Sequence, residues 1–408
     1  MPTPAPDVKR PAIPKTVWAL GCVSLLMDLS SEMIHSLLPV FMVTVMGASG
    51  LVVGLIEGVA EATALIVKVF SGVLSDYFGK RKPLALWGYG LGAVAKPIFA
   101  LASSVDVLFT ARFIDRIGKG LRGAPRDALI ADVTPPEIRG AAFGLRQSLD
   151  GVGAVLGPLL AVALMLLWAN DFRAVFWVAV LPGALAVVVL LVGVKEPKGS
   201  RAAAPVNPLR KAHLCRLPRA FWGVVVLGAV FTLARFSEAF LVLRFAQAGL
   251  PLAYTPLVLV GMSAVYGLAA YPMGLWSDAI NPRWLLAGGL LVLLTADMTL
   301  ARANGWPGLV IGLALWGLHM AMTQGVLAAM VANTAPADLR GTAFGFFNLM
   351  SGLSLLVASV LAGWLWDTQG AAATFYAGAV FCAVALAIMA WRGLCGLRGL
   401  LATADSNR

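Results

Sequence analysis

Charge is what this chain has least of. Asp, Glu, Lys and Arg make up only 12% of its 408 residues, against 60% hydrophobic. A soluble domain needs roughly 25% charged residues to cover its surface. That shortage excludes a water-soluble globule and requires most of the outer surface to face something apolar. Cysteine is scarce too. Cys22, Cys215, Cys382 and Cys395 stand apart, none in CxxC or other ligand spacing, so neither a disulfide framework nor a zinc site is expected. There are three histidines and no clustered metal ligands, and no cofactor or metal is expected. No GxSxG, HExxH or P-loop motif occurs, which argues against a hydrolase, a zinc protease or an ATP-driven pump in this chain.

What is present is a series of long apolar runs. A helix needs roughly 20 apolar residues to cross a bilayer. Splitting the sequence at Gly, Pro and charge clusters gives twelve predicted spans, at 17–41, 51–75, 84–103, 107–131, 139–166, 173–194, 220–245, 253–276, 284–302, 306–331, 340–366 and 371–391. The first run is too long for a signal-peptide core and is expected to be retained as a helix. The expected fold is an all-α membrane protein with a six-helix bundle over 1–194, a cytoplasmic linker over 195–219, a second bundle over 220–392 and a tail over 393–408.

The net charge of +11 would suit nucleic acid, but its placement points elsewhere. Lys and Arg gather at one set of span ends, in the linker and in the tails, and only Arg173 and Arg302 fall in the opposite loops. The positive-inside rule then puts both termini in the cytoplasm and explains the charge as topology, with no nucleic-acid partner. The expected location is a bacterial-type inner membrane. The 12 tryptophans lie mostly near span ends, as interfacial anchors do.

The two halves repeat each other. Gly72-Val-Leu-Ser-Asp76 and Arg81 return at one offset as Gly274-Leu-Trp-Ser-Asp278 and Arg283. Glu137-Ile-Arg139-Gly140-Ala-Ala-Phe143-Gly144 returns as Asp338-Leu-Arg340-Gly341-Thr-Ala-Phe344-Gly345, with the offset one residue shorter. Paired repeats of this kind are a transporter architecture. Gly72 to Lys82, with Asp76, Gly79, Lys80 and Arg81 in place, resembles the loop 2–3 signature of the major facilitator superfamily. Arg112-Phe-Ile-Asp115-Arg116-Ile-Gly118-Lys119-Gly120 resembles the family's fourth-helix motif, although Asp115 and Arg116 stand where many members have Gln and Gly. Gly153-Ala-Val-Leu-Gly157-Pro158 resembles the fifth-helix GxxxGP motif, which the family uses most in proton antiporters.

The resemblance implies two pseudo-symmetric bundles and secondary transport of a small molecule by alternating access, without an enzymatic step. It also implies a cytoplasmic gate, built here from Gly72, Asp76, Gly79, Arg81 and Arg340, with Asp76 accepting from the amides at the start of span eleven, where the helix dipole favours an anion. Gly153 and Gly157 would allow close helix packing and Pro158 would bend the fifth helix.

Charges inside spans cost roughly 2.5–3.5 kcal/mol each on insertion scales, so an unpaired one facing lipid is implausible. Asp28, Glu32 and His35 share one face of span one, and Glu57, Glu61 and Lys68 one face of span two. Span four carries a mostly cationic stripe from Arg112 to Arg126. Asp28, Glu61, Lys96, Lys119, Asp150, Arg235 and His319 fall near mid-span, which predicts a wet central cavity. Asp28, Glu32, Glu61 and Arg112 are the coupling candidates, and Arg116, Lys119, Asp150, Arg235 and His319 the cavity candidates. Arg146 with Asp150 and Arg235 with Glu238 also fit structural pairs.

The motifs favour proton-coupled export. The cationic stripe leaves an importer of an anionic metabolite or metal chelate open, and carboxylates would serve sodium equally. A soft-metal carrier using the 14 methionines is the weaker reading, since Met commonly fills apolar gaps. A non-transporting membrane sensor would call for an added cytoplasmic domain. A monomer, with substrate, protons and lipid as partners, is the expected working unit.

Overall fold

The computed structural model describes residues 12–78, 80–196, 216–280, 282–336 and 339–405, with side chains for all of these except 73, 76–78, 275, 277–279, 282–283, 324–325, 328–329 and 391–405. The described residues form fourteen α-helices and two short 3-10 turns, with no strand among them. The first half holds α1 (Lys15–His35), α2 (Leu38–Thr44), α3 (Gly50–Phe78), α4 (Arg81–Leu101), α5 (Val105–Val133), α6 (Arg139–Leu167) and α7 (Phe172–Gly193). The second holds α8 (Arg219–Ala234), α9 (Ala239–Gln247), α10 (Leu257–Ala279), α11 (Pro282–Arg302), α12 (Trp306–Thr334), α13 (Arg340–Gln369) and α14 (Ala371–Asp405).

Among the described residues, eleven stretches are long and apolar enough to cross a membrane. The expected fourth span is a continuous helix of 29 residues, α5, whose charges keep it outside that set. Arg112, Asp115, Arg116 and Arg122 of α5 are buried against α3 and α4, so its charges meet other helices rather than the outer surface. That surface is apolar instead: Val192 is 80% and Leu268 82% exposed, as the shortage of charge required.

Two expected spans are broken. The first divides at Ser36–Leu37 and the seventh at Arg235–Glu238. Pro39 enters the first turn of α2 and has no N–H to give the carbonyl of His35, which favours a break there. At the second break the hydroxyl of Ser359 accepts from the backbone N–H of Ser237 at 3.3 Å, and the Ser237 hydroxyl accepts from that of Ala239 at 3.3 Å. The breaks occupy corresponding places in the two halves, where discontinuous helices mark transporter binding sites. At the other end of the chain, the tail expected from 393 is helical through Asp405.

Within the first half α1 packs on α6 and α7, and α5 on α3 and α4. Within the second, α11 packs on α12 and α14, and α13 and α14 on α8. Between the halves the main seams are α3 against α13 and α6 against α10, and α2 meets α9. The α3–α13 seam is close because glycines line it. A Cβ on Gly58 would come 3.1 Å from the backbone of Leu356, and one on Gly352 3.4 Å from that of Ala62. Gly370 has φ +88° and ends α13 in the left-handed region that L side chains rarely adopt.

Candidate functional site

A cavity of about 570 Å³ lies between the halves at the two helix breaks. Its first-half wall comes from α1, α3 and α5: Glu32, His35, Glu57, Glu61, Leu65, Arg112, Arg116 and Lys119. The second-half wall is largely apolar, with Phe231, Phe236, Leu259, Leu327, Phe344, Phe347 and Leu355, plus Thr232, Thr323, Asn348 and Ser351. Arg235 and Glu238, at the second break, are the charged residues on that side.

The first-half charges are laid out as rungs. Helices α3 and α5 carry them at matching intervals. Arg112 donates to Glu57 at 2.6 Å and lies 3.9 Å from Glu61, and Arg116 lies 3.1 Å from Glu61. On the other flank of α5, Arg126 donates to Ser24 at 3.0 Å and Arg122 lies 3.9 Å from Asp28 and 5.0 Å from the centre of the Tyr89 ring. Further along α1, Arg116 Nη2 lies 3.3 Å from His35 Nδ1, and His35 Nε2 lies 3.3 Å from Asp115. Arginine only donates, so Nδ1 accepts and the ring proton belongs on Nε2, facing Asp115. Behind this row Lys96, fully buried, donates to Asp115 at 2.8 Å and to Ser31 at 2.9 Å. Each buried cation therefore has an anionic or polar partner, as a low-dielectric site requires.

Glu32 and Lys119 break the pattern. The nearest cationic partner of Glu32 is His35 Nδ1, at 3.8 Å, an atom already accepting from Arg116. Lys119 is exposed to the cavity and makes no hydrogen bond or ion pair among the described residues.

The expected coupling and cavity residues divide accordingly. Glu32, Glu61, Arg112, Arg116, Lys119 and Arg235 line the cavity. Asp28 is held beside Arg122, outside the lining. Asp150 accepts from Arg146 at 2.6 Å and lies 3.9 Å from Arg126; it sits at mid-span depth but is turned away from the cavity lining. His319 is wholly buried, lies 2.9 Å from the carbonyl of Gly289 and stacks on Phe231, so it backs the wall rather than lining it. Arg235 and Glu238 do pair, loosely, at 3.4 Å.

The glycine motif in α6 explains itself locally. A Cβ on Gly153 would come 2.6 Å from the carbonyl of Leu25, and one on Gly157 2.8 Å from that of Leu29 and 2.9 Å from the Glu32 Cβ. The pair therefore lets α6 lie directly on the α1 face that carries Asp28 and Glu32. Helix α6 runs unbroken through Pro158.

At the expected gate, Gly79 and the Asp76 side chain lie outside the described residues. Gly72 faces Ala124 of α5, and Arg340 is exposed at the start of α13. Arg81 binds Asp132 at 2.6 Å and Ser75 at 3.3 Å, while Glu196 caps α4 by accepting from the amides of Arg81 and Lys82 at 2.7 and 2.8 Å. The equivalent arrangement between the halves sits at the opposite end. There Asp367, near the end of α13, accepts from the backbone N–H groups of Gly50 and Leu51 at 2.7 and 2.8 Å, a carboxylate on a helix N-terminus. Sequence reasoning missed Asp367, although it mirrors Asp76 on the antiparallel partner helix. It also missed Asp297, which is fully buried with neither carboxylate oxygen hydrogen-bonded among the described residues.

The comparisons agree with this architecture. The family model for the Major Facilitator Superfamily matches residues 20–259 and 243–394, and the chain belongs to that family. It is 32% identical over 361 residues to an uncharacterised MFS-type transporter of Methanocaldococcus jannaschii, covering 86% of this chain and 88% of the relative. It is 27% identical over 353 residues to the multidrug resistance protein MdtH of Photorhabdus laumondii, covering 85% of each. Among solved structures, the nucleoside transporter NupG shares the fold with a TM-score of 0.77 at 13% identity, over 92% of this chain and 99% of that one. The protein is thus a multi-pass membrane transporter of small molecules and not an enzyme.

Proposed function

We propose that this transporter is proton-coupled and exports a small organic solute by alternating access, in an inner membrane with both termini in the cytoplasm. The observation that carries the reading is the single charged wall at the two broken helices, where Glu61 is shared between Arg112 and Arg116 and Glu32 stands open to the cavity. A carboxyl whose partner changes as the cavity turns from one side to the other gains or loses its proton accordingly, which is the elementary step of coupling. Export is supported by the GxxxGP motif on α6 and by the likeness to MdtH, named for multidrug resistance. With the N-terminus inside, the end sealed by Asp367 is the outer one.

The test is substrate flux in proteoliposomes under an imposed pH gradient. Flux driven by the gradient and lost in Glu61→Gln is the expected result; flux indifferent to pH but responsive to sodium overturns proton coupling. The cytoplasmic gate of Gly72, Asp76, Gly79, Arg81 and Arg340 belongs to the same proposal, with Asp76 taking at the inner end the part that Asp367 has at the other. If Asp76→Asn transports at the wild-type rate with normal labelling of cytoplasmic cysteine probes, that gate is wrong.

A further inference from the structure

The row of partners between α1 and α5 has one open rung. Helices α1 and α5 run antiparallel, so their charged residues meet in reverse order. Ser24 meets Arg126 at 3.0 Å, Asp28 meets Arg122 at 3.9 Å, and His35 meets Arg116 at 3.3 Å. Between the second and third of these come Glu32 and Lys119, of opposite sign and both on the cavity wall; the nearest cationic partner of Glu32 is His35 Nδ1, at 3.8 Å, and no hydrogen bond or ion pair holds Lys119 among the described residues. The other charged lining residues are spoken for: Glu57 by Arg112, Glu61 by Arg116 and Glu238 by Arg235. What the wall offers a ligand is therefore one acid and one base, side by side, with no net charge.

Opposite them lies a wall of another character. Phe231, Phe236, Phe344 and Phe347 face the cavity from the second half. A solute that satisfies both walls presents its polar head to α1 and α5 and its apolar body to α8 and α13. A head with only one charge would leave one of the two residues unmatched once the ligand covers the cavity wall, a cost that a doubly charged, net-neutral head avoids.

The geometry points to a zwitterionic amphiphile as the substrate class, one carrying an ammonium group for Glu32 and a carboxylate or other acid group for Lys119 on an aromatic or aliphatic body. This rests on the transporter reading above and gives its central site a ligand chemistry. The cavity of about 570 Å³ falls within the range of sites that hold drug-sized ligands. Phe236 belongs to the broken segment at Arg235–Glu238, so a ligand spanning the cavity touches both the charged row and the break, linking occupancy to the helices that must rearrange.

The test uses three probes on one frame: tryptophan, with both charges; tryptamine, with the ammonium alone; and indole-3-propanoate, with the acid alone. Binding to the purified full chain in lipid nanodiscs is measured by calorimetry and by the rise in melting temperature that ligand binding produces. Tryptophan is expected to bind roughly tenfold or more tighter than either single-charge probe, as the loss of one charge-assisted hydrogen bond implies. Lys119→Met should bring tryptamine level with tryptophan, Glu32→Gln should do the same for indole-3-propanoate, and Lys119→Arg should keep the wild-type order.

Equal binding of all three probes, preference for either single-charge probe, no binding by any, or a wild-type order in both charge-removing variants would each overturn the assignment. A direct Glu32–Lys119 bond that no ligand opens appears as absence of binding. Melting of the free variants identifies any that has not folded, and Lys119→Arg carries the comparison in that case. Labelled tryptophan in proteoliposomes distinguishes ligand from cargo: selective binding without flux keeps the ligand chemistry of the site and removes its claim as the transported substrate, whereas flux without charge selectivity keeps transport and removes the assignment.

Discussion

The two halves repeat one architecture and spend it differently. The first half puts a charged row on the cavity, drawn from α1, α3 and α5, while the second faces it with phenylalanines and one loose pair, Arg235 with Glu238. Both halves break a helix at the same place. In the first, a proline sets the break. In the second, hydroxyls of Ser237 and Ser359 satisfy the freed amides. The comparison teaches that the repeat fixes where a site can be, while the side chains on each copy decide what it does. One wall can hold and exchange charge, and the other can hold apolar body.

The sharpest way to break the comparison is to remove a buried charge from the first half. Arg112→Ala leaves Glu57, 5% exposed, without the partner 2.6 Å away, and should destabilise the protein by about 3–5 kcal/mol. Thermal melting in detergent measures this, and the double change Arg112→Leu with Glu57→Leu should recover most of the loss. If the single variant melts like wild type, the row is not structural. Next in size is the packing that brings α6 onto α1. Gly157→Ala puts a methyl 2.8 Å from the backbone of Leu29 and should cost about 1–3 kcal/mol, while Gly352→Ala, whose Cβ would meet its nearest atom at 3.4 Å, should melt near wild type. Equal effects from the two substitutions would show that the close approach at Gly157 does not matter.

A smaller effect is expected at the seam between the halves. Asp367→Ala frees the amides of Gly50 and Leu51 and removes about 1 kcal/mol of capping energy. That corresponds to roughly a fivefold shift toward the state open at this end. A cysteine placed by Thr232→Cys in a cysteine-free background should then react faster with a membrane-impermeant reagent added from that side, and an unchanged labelling rate would show that Asp367 does not hold the seam. The smallest effect belongs to Arg235→Gln. The pair it breaks is i,i+3, 3.4 Å long and partly exposed, so melting should change by less than about 1 kcal/mol, in contrast to Arg112. A loss like that of Arg112 would make the second wall as charge-dependent as the first.

Much of the fold was legible in advance, for physical reasons visible in particular residues. Except at the end of the last span, expected at 391 but helical through Asp405, the span limits fall within a few residues of the helices, because Gly, Pro and charge clusters interrupt apolar runs where helices must end. The break at Ser36–Leu37 carried a signal, Pro39, that was read through; the break at Arg235–Glu238 carried only a polar cluster. Of the candidate site, Glu32, Glu61, Arg112, Arg116, Lys119 and Arg235 were legible, since charges at helical spacing inside apolar spans must face inward. Asp150 and His319 were misplaced because depth along a helix says nothing about direction around it. Lys96 with Asp115, and Asp367 with Gly50, join positions far apart in sequence that periodicity cannot relate.

That this chain crosses a membrane, that its halves repeat and that it belongs among transporters could be read from its residues alone. Too few charges to cover a surface in water, apolar runs of bilayer length and a duplicated motif point there together. Which charges are spent on each other and which remain for a ligand is settled by how the helices pack. That choice depends on how α1, α3 and α5 are rotated against one another, and that rotation rests on close packing at glycines such as Gly120 of α5, where an added Cβ would come 2.7 Å from the carbonyl of Ala64 on α3.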